Sequence, residues 1–147
     1  MKLIVLHNKA NCGKSTVLKF LYGMFVNDFS YKQTYYKAEE KDDISAKFMK
    51  NGKTIALTSV GDNETVLKNA FDGLNATECD IVISACRSRD TKNGAVAFIK
   101  DLGVKDIIWY TKAYIGPYNN HYDCTPEFEV INKAQARMLF NEVESLL

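Results

Sequence analysis

The sequence carries almost no net charge and no long block of one sign: 19 Lys and Arg stand against 18 Asp and Glu, a formal charge of +1. That balance leaves no electrostatic footprint for nucleic acid or for an anionic membrane surface. No hydrophobic run approaches the roughly 20 residues of a membrane span. The opening MKLIVLH is too short for a signal peptide and lacks its small-residue cleavage pattern. The expectation is a soluble, cytoplasmic protein. Cysteine is sparse and scattered, at Cys12, Cys79, Cys86 and Cys124, with no C-x-x-C pair, so neither a disulfide framework nor a zinc site is suggested. His121 and Cys124 lie close in sequence, but two candidate ligands are too few to hold a metal. What the chain does have is 147 residues that are 46% hydrophobic, enough for one good core, and nothing between 1 and 147 reads as a linker, repeat or low-complexity tract. A single domain is expected.

The informative stretch is HNKANCGKST, residues 7 to 16, directly after the hydrophobic run Leu3-Ile4-Val5-Leu6. Asn8-Lys9-Ala10-Asn11-Cys12-Gly13-Lys14-Ser15, followed by Thr16, fits the phosphate-loop pattern G-x-x-x-x-G-K-[ST] at every fixed position but the first, where Asn8 replaces glycine. Each fixed residue has a chemical task. Gly13 lets the backbone curl so that successive N–H groups point at a phosphate, Lys14 reaches the β and γ oxygens, and Ser15 offers a hydroxyl to Mg²⁺. Asn8 is a tolerable replacement, because asparagine accepts a left-handed backbone better than most residues. Ser15 to Val26 reads as a helix with Val17, Leu18, Leu21, Met24 and Phe25 on one face, so strand, loop and helix N-terminus follow in the order an anion site requires. Cys12, in a loop that opens a helix, is a candidate reactive thiol.

Further along, Asn27 to Asp43 is polar and tyrosine-rich without a period and reads as a surface loop. ISAKFMK and KTIALTS flank Asn51-Gly52, a strong hairpin signal that pairs Phe48 with Ile55 and Ala46 with Leu57. Asn63 to Leu74 is helical in pattern, with Val66, Leu67, Ala70, Phe71 and Leu74 inward. A buried strand follows at 80–86, a short helix at 93–102 closed by Gly103, a strand at 106–111, and a terminal helix from Phe128 or Asn132 to Leu147 with Met138, Leu139, Val143 and Leu146 inward. This order predicts a three-layer α/β domain, a mostly parallel sheet of about five strands with one antiparallel hairpin strand, and a ligand at the carboxyl ends of the strands.

The order of elements up to about residue 115, and Asn11-Cys12-Gly13-Lys14-Ser15-Thr16 in particular, resembles the translation-factor-like class of P-loop GTPases, in which N-x-G-K-S-T is common. In that class the third strand ends in D-x-x-G, whose Asp holds Mg²⁺ through water and whose Gly amide meets the γ-phosphate. The matching place here is Thr58-Ser59-Val60-Gly61, followed by Asp62. The resemblance therefore implies phosphate contact by Gly61, and a metal-binding or water-orienting role for the displaced carboxylate of Asp62; an ordinary turn with a helix cap is the competing reading of Gly61-Asp62. The guanine-reading [NT]-K-x-D is represented by Thr111-Lys112-Ala113-Tyr114, and a tyrosine offers one oxygen where two acceptors are needed. Asn132-Lys-Ala-Gln135 is a second near-match, within a helical pattern, and is read as chance.

Small nucleotide and metabolite kinases share the phosphate loop and commonly hold the transferred group with arginines. Arginine is scarce here, three residues against 16 lysines, yet Arg87 and Arg89 sit together at the end of a central strand, where they could clamp an acceptor or stabilise transferring phosphoryl charge; a solvated loop or an ion pair with Asp90 is the alternative. Tyr31, Tyr35, Tyr36, Tyr114, Tyr118 and Tyr122 could stack a base or a partner, but are read first as residues that roof the core. Thr34 is a candidate ligand for Mg²⁺ and the γ-phosphate. The expectations are a Mg²⁺-dependent protein that binds ATP, or another nucleoside triphosphate, and hydrolyses it, with Lys14, Asp62, Arg87 and Arg89 as catalytic candidates and Ser15 with Asp62 at the metal. ATP is favoured because the guanine motif is broken. The alternatives are a small kinase with a small phosphoryl acceptor, and a module that binds nucleotide, or docks a protein partner, without turnover.

Overall fold

The computed structural model describes residues 1–10, 12–88, 94–113 and 126–147. Its first strand, β1 (Lys2–Asn8), alternates its side chains between two helix layers, Leu3 and Val5 on one side and Ile4 and Leu6 on the other, all four fully buried. A strand buried on both faces reads as a continuous hydrophobic run, as MKLIVL does. The helix α1 (Lys14–Asn27) packs Val17, Leu18, Leu21 and Phe25 on the Ile4 side, together with Ala136, Leu139 and Val143 of α4 (Pro126–Leu146). On the opposite side lie α2 (Glu64–Leu74), through Leu67, Phe71 and Leu74, and α3 (Ala95–Asp101), through Ala95 and Ile99. The result is the expected three-layer α/β arrangement.

The sheet has six strands rather than about five, in the order β2 (Lys32–Ala38), β3 (Ile44–Lys50), β4 (Lys53–Thr58), β5 (Ile81–Arg87), β1 and β6 (Ile107–Thr111). Strands β4, β5, β1 and β6 run parallel, while β3 runs against both of its neighbours. The hairpin register is the expected one, Phe48 opposite Ile55 and Ala46 opposite Leu57. Asn51 and Gly52 both take positive φ, 52° and 75°, as a twist-matched two-residue turn requires.

The additional strand is β2 (Lys32–Ala38), inside the segment expected to be a loop, and a short 3-10 turn, Glu40–Asp42, follows it. Almost every side chain of β2 is exposed, so no alternation of buried and polar residues marks it in the sequence. Its backbone pairing with β3 makes it a strand, with a register shift between Gln33 and Tyr35 that places Thr34 at a bulge of the sheet edge, and Thr34 does not line the cavity beside residues 12–16. Two inward assignments are also corrected. Val66 is 36% exposed and Met138 38%, because α2 and α4 bury narrower faces than their hydrophobic content suggests. Tyr31 is buried among Phe25, Phe48 and Phe140, whereas Tyr36 lies exposed against Tyr22. Tyr114, Tyr118, Tyr122, His121 and Cys124 lie outside the described residues. Among the described residues no helix is long and apolar enough to cross a membrane.

Candidate functional site

The carboxyl ends of β4 and β5 and the start of α1 meet around a cavity of about 180 Å³ lined by Cys12, Gly13, Lys14, Ser15 and Thr16, together with Lys41, Asp43, Ser59, Gly61, Asp62 and Ala85. Gly13 stands at the entry to α1 in the left-handed region, φ 86° and ψ 18°, a conformation that costs a residue with a Cβ far more. The turn it makes brings the first N–H groups of α1, which have no partner inside the helix, to the cavity edge. Lys14 follows immediately and is 9% exposed. Its Nζ donates to the carbonyl oxygens of Asn8 (3.0 Å) and Lys9 (2.6 Å) and lies 3.6 Å from Cys12 Sγ. A buried ammonium group is thus held at the loop by backbone oxygens.

Asn8 fills the position of the missing glycine differently from the expectation. It is not left-handed but the extended last residue of β1, level with Arg87 of β5. Its side chain fastens the loop root instead: Nδ2 donates to the carbonyl of Lys112 at 2.8 Å and Oδ1 accepts from the Lys9 N–H at 2.7 Å. Cys12 is 1% exposed, so the access that a reactive thiol needs is missing. Asn11 lies outside the described residues, and Lys9 and Ala10 line a neighbouring cavity of about 360 Å³ with Arg87 and Ser88.

The far wall contains a residue that sequence reasoning missed. Asp43, just before β3, accepts a hydrogen bond from Ser59 Oγ at 2.7 Å, and the Ser59 carbonyl in turn accepts one from Ser15 Oγ at 3.3 Å. Ser59 Oγ also takes the Ile44 N–H at 2.9 Å, which fixes its orientation. Thr58, which occupies the place of the absent aspartate, is fully buried and bonded to Ser45 Oγ at 3.0 Å within the hairpin, so it takes no part in the cavity. Asp62 does line the cavity, half exposed and 3.8 Å from Lys41 Nζ. It is not the cap of α2, because Asn63 Oδ1 accepts the Val66 N–H at 3.1 Å and fills that role. Gly61 has a packing reason to be glycine: a Cβ there would stand 2.4 Å from the carbonyl oxygen of Ala85, and its own carbonyl accepts the Arg87 N–H at 2.8 Å.

Arg87 is separated from this cavity. It lines the neighbouring cavity with Lys9 and Ala10, and its buried Nε has no hydrogen-bond partner among the described residues. Arg89 lies outside the described residues. At the end of β6, Lys112 is fully buried and donates to the carbonyl of Ala113, while Gln135 bridges the Thr111 carbonyl (2.8 Å) and the Ala113 N–H (3.0 Å). Gln135, part of the second near-match, thus has a structural task.

The field of Lys14 reaches its neighbours. Burial lowers the pKa of His7, and the Lys14 charge lowers it further. Burial pushes the Cys86 thiol up to about 11, against a smaller opposing pull from Lys14, so this cysteine is neutral at ordinary pH. The donor set around the cavity, the hydroxyls of Ser15, Thr16 and Ser59 and two carboxylates, is composed of hard oxygens. It suits Mg²⁺, which binds through one or two carboxylates plus phosphate oxygens and keeps several waters. Among the described residues there is no cluster of three or more His, Cys, Asp or Glu able to hold a metal unaided. A larger cavity of about 790 Å³ lies between α1 and α4, but its lining of Phe20, Met24 and Phe140 with Lys19, Lys133 and Arg137 has no comparable hydroxyl-carboxylate set. No protein-family model, curated protein or solved structure matches the chain.

Proposed function

We propose that this protein binds a nucleoside triphosphate, ATP in preference to GTP, with Mg²⁺ at the 8–16 loop and hydrolyses it, on a fold of the P-loop type. The observation that carries this reading is Lys14: a buried ammonium group beside a left-handed glycine at the start of a fourteen-residue helix, in the lining of a small cavity that two carboxylates also line. Burying a lysine is costly unless its charge is answered, and phosphate oxygens would answer it more strongly than two peptide carbonyls do. The N–H groups at the α1 terminus and Lys14 hold the β- and γ-phosphates. Ser15 and Asp43 would hold Mg²⁺, which neutralises charge on the phosphate oxygens when bound. Asp62 orients the water that attacks the γ-phosphorus as the bond to the β-γ bridging oxygen breaks, giving nucleoside diphosphate and phosphate. The preference for ATP rests on Tyr114, which stands in the sequence where [NT]-K-x-D carries its guanine-reading carboxylate and offers one oxygen where two acceptors are needed.

The test is thermal melting of wild type and Lys14→Ala with ATP, GTP and their diphosphates, with and without Mg²⁺. The expected result is a Mg²⁺-dependent rise for wild type with triphosphate, larger for ATP, and none for the variant. No rise in wild type with any nucleotide would overturn the reading. A second reading, transfer to a small acceptor, draws support from Arg87, whose Nε has no partner among the described residues and which lines a cavity with Lys9 and Ala10 of the loop. It requires turnover that appears only when an acceptor is added.

A further inference from the structure

The turn that closes the cavity from above β3 is strained in an unusual place. Lys41 (φ 55°) and Asp42 (φ 63°) are consecutive non-glycine residues in the left-handed region. Lysine has no local side-chain bond that would favour this conformation, in contrast to Asp or Asn. Such strain persists only where the surroundings over-determine it. Here the Glu39 N–H donates to the Asp43 carbonyl (2.8 Å), the Asp43 N–H donates to the Glu40 carbonyl (3.2 Å), and Asp42 is paired with Lys19 of α1 at 2.6 Å. The turn is therefore tied at both ends and to the helix that carries the phosphate loop. Its effect is to place Lys41 on the wall of the cavity that Lys14, Asp43 and Asp62 also line, with its Nζ 3.8 Å from Asp62. A glycine would make the same turn without strain but would bring no charge.

We infer that Lys41 is the second cation of this site, meeting the terminal phosphate of the bound triphosphate and neutralising the charge that spreads over its oxygens during transfer. This rests on the reading of the phosphate loop given above. Lys41 forms no covalent bond and accepts no proton; it acts as a point charge in a cavity already shaped for phosphate. Its present partner is held loosely. The Lys41–Asp62 pair is 3.8 Å long, with the two side chains 81% and 51% exposed, so exchanging that carboxylate for a phosphate oxygen costs little. The exchange also frees Asp62 to orient the attacking water. A diphosphate lacks the terminal group, so Lys41 should discriminate between triphosphate and diphosphate, whereas Lys14 serves both.

The experiment compares wild type, Lys41→Gly, Lys41→Arg and Lys14→Ala for Mg²⁺-dependent binding of ATP and ADP and for ATP turnover. Lys41→Gly suits the left-handed backbone, so without nucleotide its melting temperature should equal or exceed that of wild type. Its preference for ATP over ADP should fall about tenfold and its turnover by at least about tenfold, with Lys41→Arg recovering most of both. A glycine variant that keeps the wild-type preference and rate would overturn the inference while leaving the phosphate loop intact. So would equal losses for ATP and ADP, the mark of a merely structural turn. If wild type itself gains nothing from ATP with Mg²⁺ and matches Lys14→Ala, the phosphate-loop reading fails and takes this inference with it.

Discussion

Asp43 and Asp62 face the same small cavity, yet their surroundings assign them different work. Asp43 is tied through Ser59 to Ser15, so its carboxylate is positioned relative to the hydroxyl that would share the metal; Asp62 is paired, among the described residues, with the exposed head group of Lys41. Asp43→Asn keeps an oxygen to accept from Ser59 and removes the charge. It should raise the Mg²⁺ concentration needed for turnover by about tenfold or more, a loss of at least about 1.4 kcal/mol, with the fold retained. Asp62→Asn should leave the Mg²⁺ requirement near that of wild type and lower the maximal rate. A Mg²⁺ titration of ATP hydrolysis for both variants checks this, and the reverse pattern would exchange the two roles. At this scale much was legible. The spacing singles out Gly13, Lys14 and Ser15, and the structure places all three in the lining of one cavity. Asp43 was legible in principle: the Asn51-Gly52 turn sets Ser45 opposite Thr58, and the same register continued brings Asp43 level with Val60, beside Ser59 and Gly61. Asn8 was not, since its role depends on Lys112, which is distant in sequence.

Among the elements, α4 is anchored by contacts that sequence periodicity cannot reveal. Its last turn receives two lysines from the β3–β4 hairpin: Lys50 Nζ donates to Glu144 Oε1 at 2.5 Å, and Lys53 Nζ donates to the Leu146 carbonyl at 2.7 Å. Cations at a helix C-terminus also suit its dipole. Tyr31 donates its hydroxyl to the same Glu144 carboxylate, and the Lys50 ammonium stands 4.3 Å from the Tyr31 ring centroid. Burial by itself would raise the pKa of Glu144, but the bonds from Lys50 and Tyr31 outweigh it and leave the carboxyl below its ordinary value. A depressed carboxylate pKa contributes stability above the unfolded-state value and loses it as pH falls through the folded-state value. Wild type should therefore lose melting temperature as pH falls below the ordinary carboxylate range, and Glu144→Gln should show a shallower loss across that window from a lower starting point. Melting curves from pH 7 down to about 3 test this, and parallel profiles would remove Glu144 from the explanation. The strand β2 escaped notice for the same underlying reason that α4's anchors did. An edge strand with both faces largely exposed carries no period of two, and its identity lies in hydrogen bonds to β3. The β3–β4 hairpin was legible because its turn residues and its buried alternation agree.

Taken as one molecule, the fold separates its two polar clusters to opposite ends of the sheet. Asp43 precedes the first residue of β3 and Lys50 is its last, seven residues further on, or about 23 Å at the rise of a strand. The cavity beside residues 12–16 belongs to the first end and the Glu144 cluster to the second. The layered α/β architecture was legible because β1, β5 and the core-facing stripes of the helices are hydrophobic with the right periods; the strand order was not, since it is set by which exposed edges pair. Separation at this scale has a thermodynamic consequence. Two sites that far apart with no shared partner should add. Saturating Mg²⁺ and ATP at about a hundred times the dissociation constant contributes about 2.7 kcal/mol by mass action, and for a chain of this size that is a rise of about 5–10 °C. Glu144→Gln should lower the melting temperature yet keep this rise undiminished, whereas Lys14→Ala should lose the rise; the double variant should show the lower melting temperature and no rise. A rise that shrinks in Glu144→Gln alone would mean that the anchoring of α4 is coupled through α1 to the phosphate loop, since α1 and α4 share the core cluster of Phe25, Leu139 and Val143.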